Sequence, residues 1–400
     1  MVNPLQIGWI DYSNEHRNKV MAILDLLAQK GAVDELGIGM IRDGFSDMFF
    51  PGTSTLQTRA KYFFIVPYLV MELEKESFSS HNQFLNKLSQ QELELIAILK
   101  QGKDLDGIIG GRSGKKLKRK PSSIYWNGLR KFEIFKYENL TLDNYAKSLF
   151  AMKKNKQALK SLGDDETDDI DAGNEYYGTF WHCLIPESDW KENLQIKLTR
   201  QEAEFLKQRI TLSSKTEHSL FAFLLNQDPE KLKLVESFEM IGEMFDLPDH
   251  IKRMYQLANK FNKFISGANI RYNVILSKQE NEDAVEEWEK WLSSSFVKNE
   301  FSSFPYLEVL SLLQIERRNI RLKNFLRDWQ KLAIDGDVGE IDNLLINREV
   351  ELKSKDRAKL YNSKAFSYDG KWVGIRSLDY RFRVAKAIIN DILDGLEERA

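Results

Sequence analysis

Apolar residues recur at helical spacing along most of the chain. Within Asn14–Gln29, Val20, Ile23, Leu24 and Leu27 follow the i, i+3, i+4, i+7 order of one helix face, and Gly31 stops the pattern. Ile38, Ile41, Phe45 and Met48 predict a second, shorter helix over 38–49. Phe50-Pro-Gly-Thr-Ser-Thr reads as a turn whose hydroxyls cap a third helix over 56–74. That helix is apolar on most sides, so it is expected at the centre of its domain, kinked at Pro67. Further helices are predicted over 83–100, 121–132 and 142–159. Thr199-Arg-Gln-Glu202 is a capping box ahead of a helix over 203–210. Periodicity returns at 217–226, 230–245, 249–266, 282–294, 306–331 and 379–397, while 176–184 and 366–375 suggest short extended segments. The expected fold is mainly α: a multi-helical two-domain protein with at most a few short strands. No repeat of 20–50 residues is present.

Composition adds little to this and contradicts none of it. The 400 residues are 42% hydrophobic and 30% charged, enough for a buried core in each of two domains. A single cysteine, Cys183, excludes an internal disulfide framework and fits a reducing compartment. The first residues, Met1-Val-Asn-Pro-Leu-Gln-Ile, lack the basic and apolar regions of a signal peptide. The longest apolar run, Tyr62–Met71, is about half of what a bilayer crossing needs. A cytoplasmic protein without a membrane partner is expected.

Charge changes the picture more. The net charge of −2 conceals an asymmetry. Residues 1–163 hold 24 Lys+Arg against 17 Asp+Glu, whereas Asp164-Asp-Glu-Thr-Asp-Asp-Ile-Asp171 is wholly acidic apart from Thr167 and Ile170. The chain is therefore expected to divide into a helical domain over 1–163 carrying a basic loop, an acidic linker over 164–173, and a larger helical domain over 174–400.

The net positive excess of residues 1–163 is concentrated in one stretch. From Arg112 to Lys136 there are nine Lys or Arg against one acid, Glu133. Gly107-Ile-Ile-Gly-Gly-Arg-Ser-Gly is a glycine-rich loop that runs through Lys115, Lys116, Lys118, Arg119 and Lys120 into a helix opened by Pro121. Small residues let a backbone approach phosphates, and the amides at the start of the helix are a second place to receive one. A local basic patch points to a polyanionic partner, and the candidate nucleic-acid-binding residues are Arg112, Lys115, Lys116, Lys118, Arg119, Lys120, Arg130 and Lys131. Another acidic partner, or a solvated loop with none, fits the same residues. A P-loop does not: Asp106 stands where its first glycine is required, and Arg112 replaces its lysine. Arg42, Arg59 and Lys61 form a second basic group, read as pairing with Asp43 and Asp47, with Arg59 and Lys61 lining the same face as the loop as the alternative. Trp126 is read as core, with base stacking as the alternative.

Catalysis is hardly legible. His16, His81, His182, His218 and His250 have no metal-ligand spacing, and adjacent His182 and Cys183 point to different faces. Asp342 followed by Glu351-Leu-Lys353 imitates the acidic set of metal-dependent nucleases, but in a segment that reads as helix or coil rather than hairpin. No catalytic residue, cofactor or metal is assigned, and the balance leans away from an enzyme.

Five segments carry a resemblance. They are Ile7–Asp11, Asp34–Asp47, Phe50–Phe63, Pro121–Leu129 and Leu378-Asp-Tyr-Arg-Phe-Arg383, and together they resemble the bacterial family of unknown function DUF6361. Glu133 departs from the pattern, which has a glycine or small residue after the aromatic. The resemblance implies no catalytic residues. It implies an association with mobile and phage-defence gene neighbourhoods, with defence-system proteins such as a helicase as partners. The expected function is a non-catalytic nucleic-acid-binding subunit, DNA being favoured, of an anti-phage defence or DNA-processing complex. The alternative is a scaffold or regulatory subunit of such a complex that touches no nucleic acid.

Overall fold

The computed structural model describes residues 34–161, 177–362, 364, 366 and 368–397. The helix expected over Asn14–Gln29 and the acidic segment 164–173 lie outside the described residues. In chain order the helices are α1 Gly39–Phe49, α2 Tyr62–Glu74, α3 His81–Leu99, α4 Pro121–Lys131, α5 Leu142–Ser161, α6 Tyr177–Phe180, α7 Arg200–Leu212, α8 Leu220–Leu225 and α9 Pro229–Lys233. They continue with α10 Ile241–Met244, α11 Asp249–Leu276, α12 Glu282–Ser293, α13 Ser295–Asn299, α14 Tyr306–Leu312, α15 Ile320–Asp335, α16 Val338–Lys353 and α17 Phe382–Glu397. The protein is mainly α-helical. Among the described residues no strand forms. The extended reading of 176–184 reduces to an isolated antiparallel bridge, Phe135 with Trp181, flanked by Lys136 N–H to Phe180 O (2.9 Å) and His182 N–H to Ile134 O (2.8 Å).

Two compact units divide the chain. One is formed by the chain up to Arg42 with Gln256–Leu378, the other by Asp43–Tyr255 with the chain from Asp379 on. These boundaries differ from the expected 1–163 and 174–400 division. Lys61 on one side of 164–173 and Glu202 on the other make a buried ion pair of 2.6 Å within one unit.

In the unit that holds Asp43–Tyr255, α2 is the central element: every residue but Glu72 is buried. It packs on α3 and α4. The helix starts at Tyr62 rather than Leu56 because tertiary partners take the preceding amides. Thr58 and Arg59 donate to Tyr125 Oη (2.9 and 3.2 Å), and Ala60 donates to Asp391 (2.7 Å). The capping box of α7 forms as read: Thr199 Oγ1 accepts from Glu202 N–H, and Glu202 Oε2 accepts from Thr199 N–H. A cluster of Trp126, Phe135, Tyr145, Phe180 and Trp181 fills the space beyond α4.

The other unit is built on Trp291, Trp329, Phe264, Phe301 and Phe304. A Cβ at Gly267 would lie 2.4 Å from the Trp291 ring, so only glycine lets that indole rest on the α11 backbone. The predicted helix over 306–331 splits into α14 and α15. Gln314 takes a left-handed conformation between them (φ 56°), and Asn319 caps the new start at Leu322 N–H. This unit also buries a polar cluster. Glu349, fully buried, accepts from Tyr272 Oη, Lys353 Nζ and Leu360 N–H, each at 2.8 Å. Glu35 takes Lys353 and, at 2.9 Å, Lys359.

Candidate nucleic-acid interface

The basic loop spans the gap between α3 and α4, and its backbone path is fixed from below. Thr58 Oγ1 donates to Gly107 O (2.6 Å), Ile109 N–H donates to Tyr62 Oη (2.8 Å), and Arg59 Nη1 donates to Asp106 O (3.0 Å). Gly110 sits at φ +83°, where a Cβ would meet Ile96 Cδ1 at 2.6 Å. This glycine therefore serves conformation and close packing. The loop ends in a single 3-10 turn, Gly114–Lys116, before Pro121 opens α4.

The eight candidate cations separate into two groups. Arg112, Lys115, Lys116 and Lys118 are exposed and Arg119 is half-buried, and none of the five makes an ion pair among the described residues. Lys120 is half-buried and donates to Leu117 O at 2.7 Å. Arg130 and Lys131, by contrast, are tied to structure. Arg130 donates to Glu138 O (2.8 Å) and Asn127 Oδ1 (3.2 Å), and Lys131 pairs with the Glu138 carboxylate at 2.9 Å. Lys131 and Lys215 together pull Glu138 down to about 2. These ties hold the segment after α4 in place, so Arg130 and Lys131 have less to offer a ligand than their position in the sequence implies.

The start of α4 also differs from the expectation of a phosphate-binding helix end. Glu92 of α3 already occupies it: its carboxylate accepts Ser122 N–H at 2.5 Å and Ser122 Oγ–H at 3.1 Å. Burial pushes Glu92 up to about 7, and neither the Ser122 bonds nor the charge of Lys120 offsets this. The sequence signal was present, since Glu92 interrupts the buried stripe Phe84, Leu88, Leu95, Ile96 and Leu99 of α3.

The remaining candidates also find their partners. Arg59 and Lys61 do pair, with acids far from those expected: Arg59 with Asp104 (2.8 Å) and Asp391 (2.9 Å), Lys61 with Glu202. Asp43 and Asp47 face Arg381 (3.6 and 2.6 Å). Trp126 is core; its Nε1 donates to Leu140 O at 2.9 Å. Glu133 sits at φ 54°, the left-handed region that explains the small residue expected there. Its carbonyl accepts from Arg209 (3.0 Å) and its carboxylate from Ser214 Oγ (3.0 Å). The nuclease-like set lies on α16, where Asp342 and Glu351 stand roughly 13 Å apart along the axis. Arg271 grips Asp342 (2.6 Å), and Arg348 holds Glu351 (2.6 Å). Two carboxylates so separated cannot share one metal ion. Among the described residues no three His, Cys, Asp or Glu side chains converge on a metal position, and no helix is long and apolar enough to cross a membrane.

Fold and loop together define a mainly helical protein whose glycine-rich loop presents cations that have no ion pair among the described residues. A model of DUF6361, a family of unknown function, matches residues 5–284, and the chain belongs to that family. The match takes in four of the five resembling segments and ends before Leu378–Arg383. No curated protein and no solved structure matches the chain.

Proposed function

We propose that this protein is a non-catalytic nucleic-acid-binding subunit, DNA being the favoured ligand, of a DNA-processing or anti-phage defence complex. One observation carries the reading: five cations, Arg112, Lys115, Lys116, Lys118 and Arg119, stand together on a short loop without an internal counter-charge among the described residues. Several buried or half-buried cations elsewhere, Arg59, Lys61, Arg271 and Lys353 among them, are instead spent on carboxylates. Leaving five unpaired on one loop concentrates field where a phosphate ribbon can exchange its counterions for them.

A gel-shift titration with duplex DNA at two salt concentrations tests this. The chain is expected to shift DNA and to lose affinity steeply between roughly 50 and 200 mM salt. Changing the five cations to Ala should abolish most of that binding. Unchanged binding by this variant overturns the reading. Absence of any shift, with capture of an acidic protein partner that survives nuclease treatment, favours the scaffold alternative.

A further inference from the structure

The loop also encloses a concavity that an extended phosphate track does not require. A cleft of about 690 Å³ opens where the chain leaves α3, with Lys100, Leu105, Asp106, Ile108, Gly110 and Arg112 among its lining. Its volume falls in the range of small-molecule sites. Three kinds of chemistry meet there. Lys100 and Arg112 are exposed cations with no ion pair among the described residues. Asp106 is an exposed carboxylate whose side chain likewise has no partner among them, while its carbonyl is held by Arg59. Leu105, 57% exposed, and Ile108 supply an apolar ledge. The bonds from Thr58 and to Tyr62, and the close fit of Gly110, hold the wall in shape before any ligand arrives.

Asp106 is the informative residue, because it would repel a ligand that offered only phosphate. A carboxylate, two cations and an apolar ledge lining one cleft suit a molecule with an anion, hydroxyl donors and a flat apolar body. We infer that the cleft holds a single nucleotide: the phosphate against Arg112 and Lys100, a sugar hydroxyl donating to Asp106, and the base over Leu105 and Ile108. The inference rests on the nucleic-acid reading for the chemistry of the loop and extends it from a phosphate track to a site for one nucleotide. A free nucleotide and the hydroxyl-bearing 3′ end of a strand offer the same groups.

Calorimetric titration of the full chain with AMP, adenosine and 2′,3′-dideoxy-AMP tests the site. A second arm compares otherwise identical oligonucleotides ending in a 3′-hydroxyl or a 3′-dideoxy nucleotide. AMP should bind, and loss of either the phosphate or the hydroxyls should weaken binding about tenfold or more. Arg112→Ala should erase the preference for AMP over adenosine, and Asp106→Ala the preference for AMP over the dideoxy form. Both side chains are exposed, and thermal melting checks that the fold is kept. A preference for the 3′-hydroxyl oligonucleotide identifies the strand end as the source; its absence, with AMP bound, identifies a free nucleotide. No heat with AMP at millimolar concentration and no end preference overturns the inference, as does a hydroxyl preference that survives Asp106→Ala. DNA binding without nucleotide binding would retain the proposed function and remove this site. Nucleotide binding without a gel shift would do the reverse.

Discussion

The loop cations and the cluster around Glu349 hold similar amounts of charge and handle it in opposite ways. Arg112, Lys115, Lys116, Lys118 and Arg119 make no ion pair among the described residues, and four of them are exposed. Glu35, Glu349, Lys353 and Lys359 are joined to one another and to Tyr272, and Glu349 has no exposed surface. A charge taken out of water is costly unless its partners replace the water, so the cluster has one satisfied arrangement and little to offer a ligand. A charge left in water without a partner costs the fold almost nothing, so its placement is open to a binding role. The difference lies in pairing and burial, and not in the density of charged letters.

The largest effect should come from breaking the cluster. Glu349→Ala removes the acceptor for Tyr272, Lys353 and the Leu360 amide, and should cost about 3–5 kcal/mol in chemical denaturation. A loss under about 1 kcal/mol would mean that the cluster tolerates a stranded charge, and the contrast with the loop would fail. The five loop cations should behave oppositely. Changing all of them to Ala should move stability by no more than about 0.5 kcal/mol. The slope of log affinity for DNA against log salt should become shallower by roughly 4.

Glu92 sharpens the comparison, because it is a buried carboxylate next to the loop with no cation bonded to it. A raised acid contributes stability that is complete below its unfolded value of 4.5 and is lost as pH rises through about 7. The native chain should therefore lose on the order of 3 kcal/mol between pH 4.5 and above 7 relative to Glu92→Gln, which keeps the Ser122 acceptor without the charge. Asp391, which burial pushes up to about 6, titrates in the same window, so the difference between the two proteins is the quantity to follow in pH-dependent melts. Parallel pH profiles would show that Glu92 is not strained by its burial. The smallest effect belongs to Arg130→Ala. It should cost about 1 kcal/mol of stability through the lost Glu138 carbonyl bond and change DNA affinity less than any single loop lysine. A larger loss of affinity than for Lys116→Ala would return Arg130 to the interface.

Much of this was legible from local pattern. The apolar spacing of α3, the capping box of α7 and Pro121 at the start of α4 all depend on residues within a few positions of one another. Glu92 could have been noticed as an acid on an apolar stripe. The partners of Arg59 and Lys61 could not, because Asp391 and Glu202 lie 332 and 141 residues away. By sequence, nearby Asp43 and Asp47 were the favoured partners. Arg130 and Lys131 continue the basic stretch without any mark that separates them from Lys118, yet Glu138 bonds both and is itself shared with Lys215.

By itself the sequence determined the helical class, most of the helix positions, the family and the position of the positive charge, since each follows from short-range periodicity or from the residues as written. Only the tertiary structure decided which of those charges remain free. Pairing is set by which carboxylates the packing of distant helices brings within hydrogen-bond reach, and burial sets what an unpaired charge costs. On that ground the loop from Arg112 to Arg119 parts company with Arg130 and Lys131, and the start of α4 belongs to Glu92.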